Sequence, residues 1–351
     1  MVSRFIQLAT VALTVFQAVK GQTSTSCNPT ENSTCPSDAA LGKTVTIDFT
    51  QGNSSYFTEE SGTTVTYGDN GAEFILESDG LAKTVVSTKY IMFGRVNVTM
   101  KAAPGTGVIS CLVMESDDLD EIDWEWLGGN TTVVESNYFG KGNTTSYNRA
   151  IYHAVNDPQD EWHMYTIDWT SARTNWYIDS VLVRTLLYAD ALDGANYPQT
   201  PMNIKLGIWD GGAADESTGT VEWAGGYTDL TNAPFTMYVK NMTIEDYTTG
   251  GDTYTYSDES GSYTSIVVSN STDGSSATVT SASGDTDSSS SSNGTSSSSS
   301  SSTSSTSSTS SSSSSGASTT SSTSDAMQAN FAQGRKLALT LAGLGIGMFF
   351  I

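Results

Sequence analysis

The heptapeptide DEIDWEW, Asp120 to Trp126, contains four acidic side chains and two tryptophans in a region otherwise rich in β-forming residues. Successive side chains of a β-strand alternate between its two faces, so Glu121, Asp123 and Glu125 are expected to share one face. Like charges at every second position repel one another, and at neutral pH at least one proton should be retained among them. This arrangement favours a catalytic role for the three carboxylates.

The other face of the same strand carries Ile122, Trp124 and Trp126, which are large and apolar and should be buried. Burial of these three side chains directs the carboxylates to the open face. Two other interpretations remain, a calcium site and a solvated acidic strand. Calcium sites are usually built from loops with mixed carbonyl ligands, and an exposed edge strand would favour Lys or Thr over flanking tryptophans.

Two carboxylates on one face are what glycosyl transfer needs, because one attacks the anomeric carbon and the other protonates the leaving oxygen. In retaining enzymes the two carboxyl groups lie about 5–5.5 Å apart. Alpha carbons four residues apart on a strand are roughly 13 Å apart. The side chains of Glu121 and Glu125 must therefore converge on a curved strand, with Asp123 between them as a hydrogen-bonding partner of the nucleophile.

The elements around this strand are predicted to be β-strands throughout residues 44–247. Short β-type runs alternate with Gly, Asn, Asp and Ser, and Val96, Val98 and Met100 share one face of their run. No long helical period is present, and the segment LLYADAL is only a modest helix candidate. This spacing is typical of an all-β antiparallel sandwich or barrel.

The segment SDDLDEIDWEWLG, with its E-I-D-x-E core, resembles the active-site strand of family sixteen glycoside hydrolases, which are β-jelly-roll sandwiches with a concave cleft. The chain resembles most of all the fungal Crh-type cell-wall transglycosylases. The similarity extends over the whole mature domain and includes these stretches: CNPTENSTCPSDAALG, ESNYFGKG, YTIDWT, NWYIDS, LGIWDGG and VEWAGG.

The resemblance implies that Glu121 is the nucleophile, Asp123 the assisting acid and Glu125 the general acid/base. It also implies a chitin donor and a β-glucan acceptor, joined by transfer that cross-links the wall. Cofactors and metals are not expected, and the protein is expected to be a monomer. Two alternatives stay open: an endo-hydrolase of chitin or β-glucan on the same fold, and a non-catalytic protein, either lectin-like or a structural wall mannoprotein.

Aromatic rings that stack on sugars and polar groups that bind hydroxyls are candidates for the cleft. Trp169 and Trp176 lie inside alternating runs and are predicted to be core residues. Gly-rich neighbours instead favour an exposed loop or strand end for Trp209 and Trp223. The predicted substrate-binding residues are Trp209, Trp223, Tyr138, Phe139, Arg149 and His153.

Both ends of the chain resemble processing signals. Residues 1–21 have the architecture of a secretory signal peptide, with an apolar run shorter than a membrane span needs. Residues 325–351 resemble a GPI-attachment signal, with Ser324 as the preferred attachment residue and a retained tail anchor as the alternative. Between them we predict a catalytic domain over 22–247 and a Ser/Thr-rich stalk over 248–324, either O-glycosylated or a plain linker.

The acidic composition is compatible with a neutral partner such as a polysaccharide, and solubility alone explains it equally well. Lys and Arg number 15 against 38 Asp and Glu, which makes nucleic-acid binding improbable. Cys27 and Cys35 should pair in an oxidising compartment, which leaves Cys111 as a buried free thiol. Eight N-x-S/T sequons are candidates for glycosylation: Asn32, Asn53, Asn97, Asn130, Asn143, Asn241, Asn270 and Asn293.

Overall fold

The computed structural model describes residues 25–272 and 274–280, all within one structural unit that ends at Ser288. Several predicted features lie outside the described residues. They are the signal peptide (1–21), most of the stalk, the sequon at Asn293, and the GPI signal (325–351) with Ser324. Within the described part of the chain, no helix is long and apolar enough to cross a membrane.

Two large antiparallel sheets and one small sheet make up the fold. The front sheet consists of β3 (Phe57–Glu59), β6 (Lys83–Ser87), β8 (Val108–Ser116), β9 (Glu121–Leu127), β10 (Val133–Phe139), β11 (Ile151–Ala154) and β15 (Met202–Asp210). Its strand order is β11-β10-β9-β8-β15-β6-β3, so the acidic strand β9 lies between β8 and β10.

The back sheet consists of β2 (Thr44–Asp48), β4 (Thr66–Gly68), β5 (Gly71–Leu76), β7 (Gly94–Lys101), β12 (His163–Trp169), β13 (Arg173–Ile178), β14 (Val181–Leu187) and β16 (Phe235–Asp246). Its order is β14-β13-β12-β7-β16-β5-β4, with β2 paired to β16. Burial alternates along β7, where Val96, Val98 and Met100 face the core and the residues between them are half-buried. A back sheet with one face toward the core explains this alternation.

The core lies between the two large sheets and is rich in aromatic side chains. Trp124 and Trp126 of β9 pack against Tyr165 of β12, with ring centroids 5.7 and 4.6 Å apart. Trp169 and Trp176 are completely buried, as the sequence predicts. These contacts confirm an all-β antiparallel sandwich.

Residues 253–278 correct the predicted end of the folded domain at residue 247. They form β17 (Thr253–Tyr256), β18 (Ile266–Ser269) and β19 (Ser276–Thr278), which join β1 (Asp38–Ala39) in a small sheet of order β1-β17-β18-β19. Tyr254 and Ile266 are completely buried, and the Tyr254 hydroxyl lies 2.5 Å from Asp246 Oδ2. The polar composition after residue 247 hides these few apolar anchors, and the described part of the predicted stalk therefore belongs to the folded unit.

Helices are few in the described chain. The α-helix α1 spans Thr218–Trp223 and is capped at its N-terminus by Ser217, whose side chain accepts a hydrogen bond from the Thr220 N–H. The modest helix candidate LLYADAL instead forms only a 3₁₀ turn. The 3₁₀ turns span Phe49–Gln51, Tyr188–Asp190, Leu230–Asn232 and Tyr263–Ser265.

The cysteines behave as predicted. Cys27 and Cys35 form a disulfide, and Cys111 is a buried free thiol that donates to the Gly207 carbonyl at 3.3 Å.

Candidate active site

Strand β9 presents its three carboxylates on one face of the front sheet, which we call the cleft face. Ile122, Trp124 and Trp126 point to the opposite face, where they are at most 1% exposed in the core. The alternation predicted from the sequence is therefore the alternation of the structure. The apolar side chains fix which way the carboxylates point.

Two tryptophan N–H groups hold the middle of this strand in place. The Trp176 indole of β13 donates to the Asp123 carbonyl at 3.1 Å, and the Trp124 indole donates to the Thr166 carbonyl of β12 at 3.4 Å. Both bonds cross the sandwich and satisfy polar groups that burial would otherwise leave unpaired. The strand is thereby fixed to the back sheet at the position of the central carboxylate.

The start of the strand is held by Asp120, whose buried carboxylate lies on the core side of the turn before β9. It accepts hydrogen bonds from the Lys141 N–H, the Gln199 N–H and the Thr200 hydroxyl, at 2.9, 2.7 and 2.9 Å. Lys141 Nζ also lies 3.5 Å from its Oδ1. This fourth acidic residue of the heptapeptide therefore positions the strand rather than facing the cleft.

The carboxylates of the cleft face are largely withdrawn from water. Glu121 is 8% exposed, Asp123 is completely buried, and Glu125 is half-buried. Burial raises the pKa of Glu121 well above its ordinary value, and repulsion from Asp123 raises it further. Burial likewise raises the pKa of Asp123 to about 7. Because each carboxylate disfavours ionisation of the next, a proton is retained on the strand at neutral pH.

The neighbouring strands place two further carboxylates on the cleft face. Glu115 of β8 lies directly opposite Glu121, and Glu135 of β10 lies directly opposite Glu125. Glu115 forms a buried ion pair with Lys205 of β15. Sequence reasoning missed these residues, because only the register between strands places them beside the three carboxylates of β9 (Glu121, Asp123 and Glu125), which we call the trio.

Two of the predicted aromatic residues form a pair beside the cleft. Trp209 and Trp223 stack with ring centroids 6.0 Å apart and planes at 24°. Trp209 lies near the end of β15, as its Gly-rich context predicts, whereas Trp223 is the last residue of α1. The Trp223 indole N–H donates to Glu135 Oε2 at 2.8 Å, which brings this pair to the Glu125 end of the trio.

The other predicted binding residues divide between the two faces. Phe139 pairs with Glu121 in register and shares the cleft face, and the Arg149 guanidinium lies 4.7 Å from its ring centroid. Tyr138 is buried on the opposite face, where Arg184 lies 5.4 Å from its ring.

His153 is also on the core side, because its imidazole bonds the Ser136 hydroxyl at 2.8 Å and contacts the Trp124 ring. The structure does not bring Tyr138 and His153 to the carboxylates. Tyr152, which precedes His153 on β11, pairs with Glu135 and is half exposed on the cleft face. The sequence alone carried no signal for Tyr152, because only the pairing of β11 with β10 places it opposite Glu135.

Comparisons with known proteins agree with this geometry. The family model "Glycosyl hydrolases family 16" matches residues 52–225. Crh-like protein 1 of Aspergillus fumigatus is 54% identical over 271 residues, which are 77% of this chain and 73% of the relative. Crh-like protein 2 of Botryotinia fuckeliana is also 54% identical, over 71% of this chain and 56% of the relative.

Solved structures give the same result. The structure described as "Crh5 transglycosylase in complex with NAG" is 50% identical, with a TM-score of 0.67, and the match covers 69% of this chain and 99% of that chain. The apo form of Crh5 matches with 49% identity and a TM-score of 0.66, over 69% of this chain and 100% of that one. This chain therefore belongs to glycosyl hydrolases family 16 and, within it, to the Crh-like proteins.

Proposed function

We propose that this protein is a retaining transglycosylase of the fungal cell wall that cleaves chitin and transfers the fragment to β-glucan. The observation that carries the proposal is the line of three carboxylates on the cleft face of β9, with the pKa values of Glu121 and Asp123 raised by burial. The relative Crh5 is named a transglycosylase and binds NAG, the repeating unit of chitin, which supports the donor.

In the first step, the ionised Glu121 carboxylate attacks the anomeric carbon of the donor while Glu125 gives its proton to the departing glycosidic oxygen. The bond to the leaving chain breaks as an ester bond to Glu121 forms. Asp123 lies between them in the strand, and its raised pKa lets it carry a proton beside the nucleophile near neutral pH, which reduces the repulsion that the ionised Glu121 experiences.

In the second step, the ionised Glu125 removes a proton from an acceptor hydroxyl, and the hydroxyl oxygen displaces Glu121 from the anomeric carbon. An acceptor sugar gives transfer, whereas water gives hydrolysis. Residues that hold a sugar at this end of the trio therefore decide the outcome. Trp223 and Trp209 lie there and offer stacked aromatic surface for a pyranose ring.

The protein acts outside the cell on this proposal. The signal peptide over 1–21 would direct secretion, and a GPI anchor at Ser324 would attach the chain to the membrane through the Ser/Thr-rich segment. Occupied sequons among the eight candidates would make it a glycoprotein. Release of the glycosylated chain from membranes by a phosphatidylinositol-specific phospholipase, which leaves the anchor's lipid in the membrane, is the direct measurement for this part.

The activity is tested by incubating the secreted protein with chitin oligomers and a fluorescent β-glucan oligosaccharide. We expect fluorescent product of higher mass, which identifies transfer. Shortened chitin fragments without labelled product would instead identify a hydrolase. If neither substrate changes, the non-catalytic alternative is correct.

The assigned roles are tested by Glu121→Gln and Glu125→Gln. Each variant removes one ionisable group at nearly constant volume, so we expect each to retain its unfolding transition and to lose transfer by a factor of about 10³ or more. Azide should restore glycosyl azide formation in Glu125→Gln when the donor has a good leaving group, because the first step then needs no proton. Full activity in either variant would contradict the role given to that residue.

A further inference from the structure

Each outer carboxylate of the trio faces a second carboxylate on the neighbouring strand. Glu121 is opposite Glu115 of β8, and Glu125 is opposite Glu135 of β10. Directly opposed residues of antiparallel strands have Cβ atoms about 4.5–5.5 Å apart. Glu115 and Glu135 are only 1% and 2% exposed, so water screens these two interactions poorly.

The two facing carboxylates differ in what neutralises them. Glu115 is bonded to the Lys205 ammonium, which is itself buried. Glu135 instead accepts a hydrogen bond from the neutral Trp223 indole at 2.8 Å. The ion pairs among the described residues do not include Glu135. An ionised Glu135 therefore keeps its negative charge beside Glu125, whereas the facing carboxylate beside Glu121 is paired with a cation.

We propose that Glu135 is a positioning residue that holds Glu125 in its protonated form, ready to donate to the leaving oxygen. The inference rests on the proposed function, in which Glu125 is the general acid/base. A negative charge opposite a carboxyl group disfavours its ionisation. On the other side of the three carboxylates, Lys205 pairs with Glu115 and so weakens, without removing, the repulsion that Glu115 exerts on Glu121. The two ends of the strand therefore differ in their electrostatic surroundings.

The other groups around Glu125 do not replace Glu135 in this role. Asp123 also lies on this side of β9, but burial raises its pKa to about 7, so it carries little charge below that pH. Cys111 of β8 is a neutral thiol, since burial raises its pKa well above the ordinary value. The phenol of Tyr152 on β11 is also neutral, because burial and its hydrogen bond to Glu135 raise its pKa.

Glu135 itself is influenced from both faces of the front sheet. Its pKa is raised overall, because the effect of burial exceeds the opposing effects of the hydrogen bonds from Trp223 and Tyr152 and the charge of Arg184. Arg184 lies behind β10, where it donates to the Ser136 carbonyl at 2.7 Å. These donors favour the ionised form of Glu135 that the proposal requires.

The test is the pH dependence of kcat/KM for transfer, measured with the secreted full chain, chitin oligomers and a fluorescent β-glucan oligosaccharide. In Glu135→Gln the basic limb, which reports the general acid, should move to lower pH by about 1–2 units. Glu135→Asp keeps the charge and should return the limb to within about 0.5 unit of wild type. The matched control is the double variant Glu115→Gln/Lys205→Met, which removes the other facing carboxylate with its cation and should leave the basic limb in place.

A fall in rate that is uniform across pH in Glu135→Gln, with the basic limb unmoved, would overturn the inference and assign Glu135 a structural role. A second measurement on the wild-type protein does not depend on whether that variant folds. The ¹³C signal of the Glu125 carboxyl, assigned by its loss in Glu125→Gln, should titrate well above pH 5. Titration near the ordinary pKa of glutamate would also overturn the proposal.

The experiments distinguish an error in the role of Glu135 from an error in the proposed function. If Glu125→Gln remained active, the function assigned to the site would be wrong. If Glu125→Gln were inactive and the basic limb of Glu135→Gln did not move, only the role of Glu135 would be wrong.

Discussion

Tyr254 tests whether the segment after residue 247 is an integral part of the catalytic fold. Its ring is completely buried in β17, and its hydroxyl lies 2.5 Å from Asp246 Oδ2 at the end of β16. Asp246 is 2% exposed and also accepts from the N–H groups of Gly42, Met92 and Thr248. The tyrosine therefore contributes both buried apolar area and one hydrogen bond to a buried carboxyl group.

The two contributions can be separated by two substitutions. Tyr254→Phe removes only the hydrogen bonds of the hydroxyl, to Asp246 and to the Thr248 carbonyl, and should cost about 0.5–3 kcal/mol, the range from a neutral to a charged acceptor. Tyr254→Ala also leaves a cavity, and truncation of a buried aromatic ring costs about 3–5 kcal/mol. Since a domain of this kind is stable by about 5–15 kcal/mol in total, Tyr254→Ala should remove a large part of the free energy of unfolding.

The measurement is urea unfolding of the secreted chain followed by tryptophan fluorescence, with transfer activity assayed at each urea concentration. Activity and fluorescence should be lost together, because the Tyr263 N–H reaches Gln199 Oε1 and the Gln199 N–H reaches Asp120 at the start of β9. The control is Tyr227→Phe, whose 69% exposed ring should change stability by less than about 0.5 kcal/mol. Wild-type midpoints for both Tyr254 variants would contradict the reasoning and restore a domain boundary near residue 247.

Two further predictions concern burial of charge and the support of β9. The pKa values of Asp38, Asp120 and Asp246 are raised from 3.8 to about 8, 7 and 7, mainly by burial. The folded state thus binds more protons than the unfolded state between about pH 4 and 8, so Tm should fall as pH rises through that window. Calorimetry checks this, and a Tm that rises from pH 5 to pH 8 would refute it. Trp176→Phe removes the donor to the Asp123 carbonyl and should lower the free energy of unfolding by about 1–3 kcal/mol, measured in urea; an unchanged value would mean that this bond does not support the strand.

The features that the sequence predicted are those set by period-2 alternation within one strand. Ile122, Trp124 and Trp126 alternate with the carboxylates, and burial of the apolar set leaves the acidic set only one face to occupy. The same reasoning correctly assigned Trp169 and Trp176 to the core. Alternation is local, so it can be read without knowing which strands are neighbours.

The features that the sequence did not predict depend on pairing between distant segments. In the sequence, nothing distinguishes Glu115 and Glu135 from other strand residues. Only the register of the strands places them opposite Glu121 and Glu125. On β11 the residue that faces the cleft is Tyr152 rather than His153. In so short a strand, the sequence does not show which residues lie on which face until the strand is paired with β10. The small sheet was missed because its few buried residues are dispersed in a polar segment.

Because several carboxylates are close together on the cleft face, a single added or removed charge there should have a large effect on the ionisation of the others. All nine residues of β8 are buried, which means that the side chains on both faces of this strand are withdrawn from water. A sugar polymer entering the cleft brings no counter-ion and removes further water, so it raises the cost of every ionised carboxylate. That change favours a protonated Glu125 but opposes the ionised Glu121 that must attack. A buried cation is therefore most valuable at the Glu121 end of the strand, and Lys205 lies at that end, bonded to Glu115.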